Sequence, residues 1–487
     1  NTTGCSNVGV GAHALIINTE GAHNQAMGTE TLKGNTTGSC NIGIGTEALR
    51  TNSTGSSNIG IGHLALYSNN TTGRSIAIGE CALCCNTANS NIAMGYGAMR
   101  ENTSGYYNTA LGYETLQDND SGNNNTAVGH CALHENENSH NTGVGMYALL
   151  CNTSGQGNTA MGICGLCKNT SGDYGVAVGK DAAANNTIGD CNVAAGYLSL
   201  YNNVTGGCLV AIGTKALHAN TCASVSVAVG HETLMSSVSG SDNVAVGFRA
   251  LCKANACANT ALGASALRNT TAGCYNMAIG YQTLFNNTVG TNNTAVGERA
   301  LYSTNTGTHN TGLGSTALYG NTTGLFNVGI GVNAGCNNTD GDCNTFMGYA
   351  AGRYRADGST NLTTPDNSTY VGACTRSYSV SSNNETVLGH CACGCGDNTI
   401  SFGNANVTDN YFNGNIIACA TDPRVRVEAT AGNHPGFEWL EAGSRKWITY
   451  NDPANDHMTW KNASDTELME LDQDGYLYVN SRIIHLG

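Results

Sequence analysis

Cysteine is the residue type here with the most chemistry to offer, at 22 of 487 residues. So many in one chain fit an oxidising, extracellular setting. Their spacing sharpens the reading. Cys191 and Cys208 are separated by seventeen positions, as are Cys257 and Cys274, and Cys374 and Cys391. If the chain repeats its path at that interval, each pair occupies one column of adjacent coils. The members then lie ~4.8 Å apart, inside the Cα window a disulfide needs. The alternative is that cysteine fills small apolar slots. The tighter groups Cys81/Cys84/Cys85, Cys164/Cys167 and Cys391/Cys393/Cys395 have one neighbouring imidazole between them, His390. Zinc requires four convergent ligands, so no metal site is expected, and no cofactor motif is present.

The other candidate groups read as structure before chemistry. His63, His130, His231 and His390 each follow a glycine at the same repeat position, which makes them column residues and not a catalytic pair. The DQDG stretch at 472–475 lacks the further ligands of a calcium loop and reads as a hairpin turn. Glu438, Glu441, Asp452 and Asp456 are close in sequence, but nothing fixes them around a cleft. Phe437, Trp439, Trp447, Tyr450 and Trp460 have two readings: the core of a small domain, or an exposed aromatic platform for a sugar or receptor. Sequons such as those at Asn1, Asn35 and Asn102 mark turns, or glycans in a eukaryotic secretion. With no nucleophile and base in register, the chain is expected not to be an enzyme.

What positions these residues is a repeat. Equivalent glycines run from Gly11 through Gly112 to Gly348; all but three of the intervals span seventeen positions, and those three span sixteen. The consensus is N-[TIV]-[AG]-φ-G-x-x-[AT]-L-x-x-N-x-[ST]-G-x-x, with φ aliphatic or Met. The φ column includes Ile44, Ile61, Ile78, Met94, Leu111, Val128 and Val144, and the Leu column lapses only at Ala183, Gly335 and Gly352. Such a unit is too short for a helical-hairpin repeat of about 33. It suits one coil of a parallel β-solenoid, with two short strands and two turns. The anchor glycine supplies a bend or a close approach that a Cβ would block. The NTTG phrase is a turn whose glycine takes positive φ. Stacking puts Asn7, Asn24, Asn41, Asn58, Asn91, Asn108 and Asn125 in one column, an amide ladder. Twenty rises make a rod of roughly 100 Å. A coil this small has a slender core, and burying one face against sister chains would complete it; a homotrimer is the expectation.

Composition agrees. Charged residues are 11 %, against about 25 % in an ordinary domain, with 65 glycines and 4 prolines. Net charge is −14 with no basic stripe, which argues against nucleic-acid partners. No run of about 18 apolar residues offers a membrane span.

The phrases NTALGYETL (108–116), NTAVGHCAL (125–133) and NNTTG (69–73) resemble the head repeats of YadA-like trimeric autotransporter adhesins. They are still more similar to the longer repeats of phage and phage-like tail fibres. The resemblance covers about 1–403. It implies a left-handed parallel β-roll in a trimer, attachment to a host-surface glycan or receptor, and a virion or extracellular location. It also implies an intramolecular chaperone beyond the C-terminus, cleaved after Gly487. The first residue, Asn1, falls within a repeat and is not Met, so a processed or truncated form is expected, joined to other virion or fibre proteins through its N-terminal side.

The expected organisation is a solenoid over 1–352, an inserted loop at 353–370 where the period breaks around Pro365, further coils over 371–403, a neck over 404–424, and a C-terminal β tip domain over 425–487 that holds all three Trp residues. The leading function is a trimeric phage tail fibre mediating host attachment. The alternatives are a bacterial extracellular trimeric adhesin, a fibre-borne polysaccharide depolymerase, and an ice-binding solenoid, which would need a flat Thr array where the residue after Asn varies among Thr, Ile and Val.

Overall fold

The structure is a computed structural model. It describes residues 2–407 and 410, then 436–441, 444–452, 457–462, 464, 466–471, 476–479 and 482–485. The chain forms two units, Asn1–Thr408 and Asp409–Gly487. The expected neck lies almost wholly outside the described residues, as does the start of the expected tip domain.

The first unit is a parallel β-solenoid with 24 strands of three residues each, from β1 (Val8–Val10) to β24 (Ile400–Phe402). Every strand pairs in parallel with the next along the chain, and the register does not slip. In β7 (Thr109–Leu111), Ala110 sits between Ala93 of one neighbour and Ala127 of the other.

Each coil holds one strand, not the two expected. After the anchor Gly112 the backbone passes through left-handed φ at Glu114 (48°) and Leu116 (48°), and again at Asn124 (58°) before the next strand. A chain in that region cannot continue a pleat. Left-handed φ costs an ordinary residue about 1–2 kcal/mol. Here it is offset by hydrogen bonds between coils: Glu114 donates N–H to the Tyr96 carbonyl at 2.9 Å and Leu116 to the Ala132 carbonyl at 3.1 Å. Turn residues therefore gain partners above and below, as strand residues do.

The anchor glycine meets both demands that were expected of it. Gly112 has φ 140°, and a Cβ there would lie 2.4 Å from the Gly129 carbonyl oxygen. The turn glycine of NTTG is different from expectation: Gly38 is not at positive φ, and what excludes a side chain is crowding, with a Cβ placed 2.3 Å from the Gly55 carbonyl oxygen and 2.5 Å from Asn35 Oδ1.

The core is made of files of similar residues, mostly Ala or Gly within the strands and Leu behind them. The middle residue of each strand points inward, so Ala77, Ala93, Ala110 and Ala127 are fully buried. The Leu file, from Leu32 to Leu318, fills the rest. The aliphatic column beside the anchor points outward.

The two Gly lapses in the Leu file have a steric cause. In β21 (Thr345–Met347) the inward position is Phe346, buried at 0 % exposure. A Cβ on Gly335 or on Gly352 would lie 2.4 Å from its ring carbons. One large side chain thus occupies the space that an Ala and two Leu share elsewhere, and its ring stacks on Tyr370 with centroids 5.5 Å apart. Nothing in the structure explains the lapse at Ala183.

β21 and β22 (Thr369–Val371) stay paired, Thr345 beside Thr369, although the coil between them is longer than the regular repeat. The longer coil folds back on itself through a Tyr354–Asn361 bridge. It turns at Asp357, whose Oδ1 accepts the N–H groups of Ser359 and Thr360 at 2.8 Å each. Strand β22 begins inside the 353–370 stretch.

The second unit is an antiparallel meander of β25 (Gly436–Glu441), β26 (Ser444–Asp452), β27 (His457–Asn462), β28 (Glu467–Leu471), β29 (Tyr476–Val479) and β30 (Arg482–His485).

Candidate functional site

Two polar files run through the solenoid. In the file that the sequence marked, each side-chain oxygen accepts the backbone N–H of the next Asn: Asn7 to Asn24 at 2.8 Å, Asn24 to Asn41 at 2.9 Å, Asn91 to Asn108 at 2.9 Å. The amide nitrogen donates to a turn carbonyl, Asn108 Nδ2 to Gly122 at 2.7 Å. That file is mainly a side-chain-to-backbone ladder. The amide-to-amide ladder lies in the second Asn of the consensus. Asn35 Nδ2 donates to Asn18 Oδ1 at 2.6 Å, Asn52 to Asn35 at 2.9 Å and Asn119 to Asn102 at 2.8 Å. Asn136 Oδ1 takes two such bonds, from Asn141 and Asn152. Buried amides cost stability unless bonded. In the coils up to Asn203 the files supply partners to each other, whereas the side-chain oxygens of Asn220, Ser237, Thr270, Asn287, Thr304 and Asn338 in the second file are buried without one among the described residues.

The outward strand face is apolar. Of the two residues that flank each inward one, the second is Met94, Met161, Val178 or Ile212, all more than 40 % exposed. The first is aliphatic in many strands (Val176, Val244) and Thr in others (Thr109, Thr126, Thr142, Thr159). With 24 strands the stripe runs about 110 Å, far beyond the scattered apolar residues of an ordinary surface.

Aromatic files join the surface columns. Tyr96, Tyr113 and His130 stack at 5.2 and 5.1 Å, Phe285, Tyr302 and Tyr319 at 5.2 and 5.1 Å, and His231 on Phe248 at 5.6 Å. His63 lies 3.8 Å from Glu80, and His390 Nε2 is 3.3 Å from Cys391 Sγ.

All 21 cysteines among the described residues are free thiols. Cys191 and Cys208 are exposed in adjacent coils. Cys257 donates its N–H to Cys274 Sγ at 3.3 Å. Cys374 and Cys391 are also neighbours, and burial followed by the Cys391 charge pushes the Cys374 thiol up. Burial raises Cys84 and Cys167 most, each to about 12, with nearby thiols (Cys85, Cys164) adding to it. Among the described residues no three His, Cys, Asp or Glu side chains converge on a metal position, and no helix is long and apolar enough to cross a membrane.

In the C-terminal sheet the pairing places Trp439 opposite Trp447, and Trp460 opposite Thr449, two positions along from Trp447. Tyr450 pairs with Thr459 and so belongs to the other set of alternate positions. The Trp460 side chain is half-buried and Thr459 buried. Residues 472–475 and Asp456 lie outside the described residues.

No model of a known protein family matches the chain, and no curated protein is significantly similar to it.

Proposed function

We propose that this chain is the structural, non-enzymatic fibre protein of a phage or phage-like particle. It works as a homotrimer, in the virion or outside the cell, and attaches to a host-surface glycan or receptor. The observation that carries this reading is the outward apolar face of the strands. A solitary solenoid would leave that stripe in water along its whole length. Sister chains set side by side would bury it with the same repeat that builds it, and closed symmetry would end the association at a fixed number. Three copies of a recognition surface on one rod raise avidity without any new contact. Trp439, Trp447, Tyr450 and Trp460 are the residues proposed to meet the receptor. A bacterial extracellular trimeric adhesin uses the same rod, and a fibre-borne depolymerase would add a carboxylate cleft.

Light scattering on the purified chain tests it, with and without reductant. A mass of three chains that survives reductant is expected. A monomer would overturn the assembly and leave the stripe unexplained.

A further inference from the structure

We propose that the shortened coil between Gly79 and Gly95 forms a lateral notch for a carboxylate-bearing pyranose, a sugar of the uronic acid class. This coil is one residue shorter than the regular repeat, and the missing one belongs to the outer turn: four residues, not five, separate the buried Asn86 from Asn91. Arg74, Ser90 and Tyr107 are successive rungs of one column, with the same backbone state at φ 64°, 61° and 58°. Arg74 and Tyr107 are therefore two rises apart, about 9.6 Å, with only a small serine between them. A flat ring that makes van der Waals contact on both faces needs about 7–8 Å.

The walls have suitable chemistry. Tyr107 is 61 % exposed and is braced edge-on by Tyr106, with ring centroids 5.1 Å apart at 83°. Its apolar face suits the C–H face of a sugar. Arg74 is exposed and has no ion pair or side-chain hydrogen bond among the described residues, in a chain of net charge −14. A guanidinium takes a carboxylate through two parallel hydrogen bonds. Between the walls, Asn89 Oδ1 accepts the Gly73 N–H at 2.7 Å, which fixes the amide and leaves its NH2 to donate. Two clefts of about 290 and 420 Å³ open here and share Asn89 and Tyr107.

The fold supplies its own control. The shortened coil between Gly247 and Gly263 has Asp242, Ala258 and Tyr275 in the same column, at φ 60°, 56° and 61°. The aromatic wall is kept and the charge is reversed. The site lies on the solenoid and stands apart from the receptor reading, which places recognition in the C-terminal sheet.

The test is a calorimetric titration of the full chain with glucuronate and with glucose. Glucuronate should bind, and glucose about tenfold more weakly, the loss of one good charge-assisted contact. Arg74→Gln should erase that preference. Tyr107→Ala should weaken both sugars at least about tenfold. Inserting one glycine after Ala88, which restores the full-length coil, should abolish binding with both walls still present. Tyr275→Ala should change nothing. Absence of glucuronate binding to the wild-type chain, or equal binding to Tyr107→Ala and to the insertion variant, overturns the proposal. Both wall residues are exposed, so an unchanged melting curve verifies the fold; should Tyr107→Ala melt early, the selectivity of Arg74→Gln decides.

Discussion

The regular coils up to β20 (Val328–Ile330) and the coils from β21 onward solve one packing problem in two ways. In the first region the columns repeat small or like residues: Ala or Gly inward, Leu behind it in most coils, and Asn at most positions on both flanks. In the second the inward residues become Phe346, Tyr370 and Val387, and glycines stand at 335 and 352 where Leu would be. The Asn file runs on through Ser368 and Glu385. Glu385 is fully buried, and its carboxylate accepts bonds from Tyr370 Oη at 3.0 Å, Ser377 Oγ at 2.8 Å and Gly396 N–H at 3.0 Å. What is kept across the boundary is filled volume and, in the file that passes through Asn344, Ser368 and Glu385, a hydrogen-bonded polar side chain. Residue identity is dispensable as long as neighbours change together.

The largest effect should come from the backbone that both regions share. Gly112→Val should disrupt its coil and the next, because the new Cβ meets a carbonyl 2.4 Å away in the adjacent coil; a loss above about 4 kcal/mol is expected. Hydrogen exchange should show protection lost around residues 109–129. At Gly403, near the far end, a Cβ would first meet the Val407 side chain and not backbone, with the strain of φ 75° added, so Gly403→Ala should be milder.

Next, Phe346→Ala should cost about 4 kcal/mol, read as a fall in the denaturant midpoint. Gly335→Leu alone should also destabilise, since the ring already fills that space. The double variant should recover at least about 1 kcal/mol of the summed loss. Strict additivity would refute volume exchange between these positions.

Asn136→Ala should then cost about 3 kcal/mol, because the buried Asn141 and Asn152 amides each lose one of two acceptors and keep only the Gly155 carbonyl. Glu385→Ala should have a similar cost by the same logic, although the residues differ. A neutral result for either in thermal melts would show that the bonds to that side chain do not contribute to stability.

The smallest effect concerns thiols. At pH 8 Cys84 and Cys167, both pushed up to about 12, stay protonated, and iodoacetamide should label them far more slowly than the exposed Cys5, Cys40 and Cys191. The sign follows from burial: raising the pH toward 12 should speed labelling of the two half-buried thiols. Equal rates at pH 8 would show that partial burial does not hold the Cys84 and Cys167 thiols protonated.

Much of this was legible in the residues. The period, the parallel stack and the close approach at Gly112 follow from spacing alone. The orientation of the strand did not. In Ile76–Ala77–Ile78 both alternating sets are apolar, so alternation names two faces without saying which is buried; the width of the coil decides, by admitting only Ala beside Leu. The second Asn stood in the consensus, but its ladder depends on the turn that brings it under its equivalent. The left-handed φ at Leu116 had no sequence mark, because Leu is a poor signal for that region. The roles of Trp439, Trp447, Tyr450 and Trp460 are not fixed by pattern, since a core and a platform draw on the same aromatic residues.

Each coil touches only the one before and the one after, and adjacent coils present the same atoms to each other. Deleting a stretch such as 109–125, or duplicating it, would join two surfaces that already match. Length is then a heritable variable: gaining or losing one repeat unit in the gene should change the reach of the rod by about 4.8 Å, so unequal recombination between repeats can retune it in a single step.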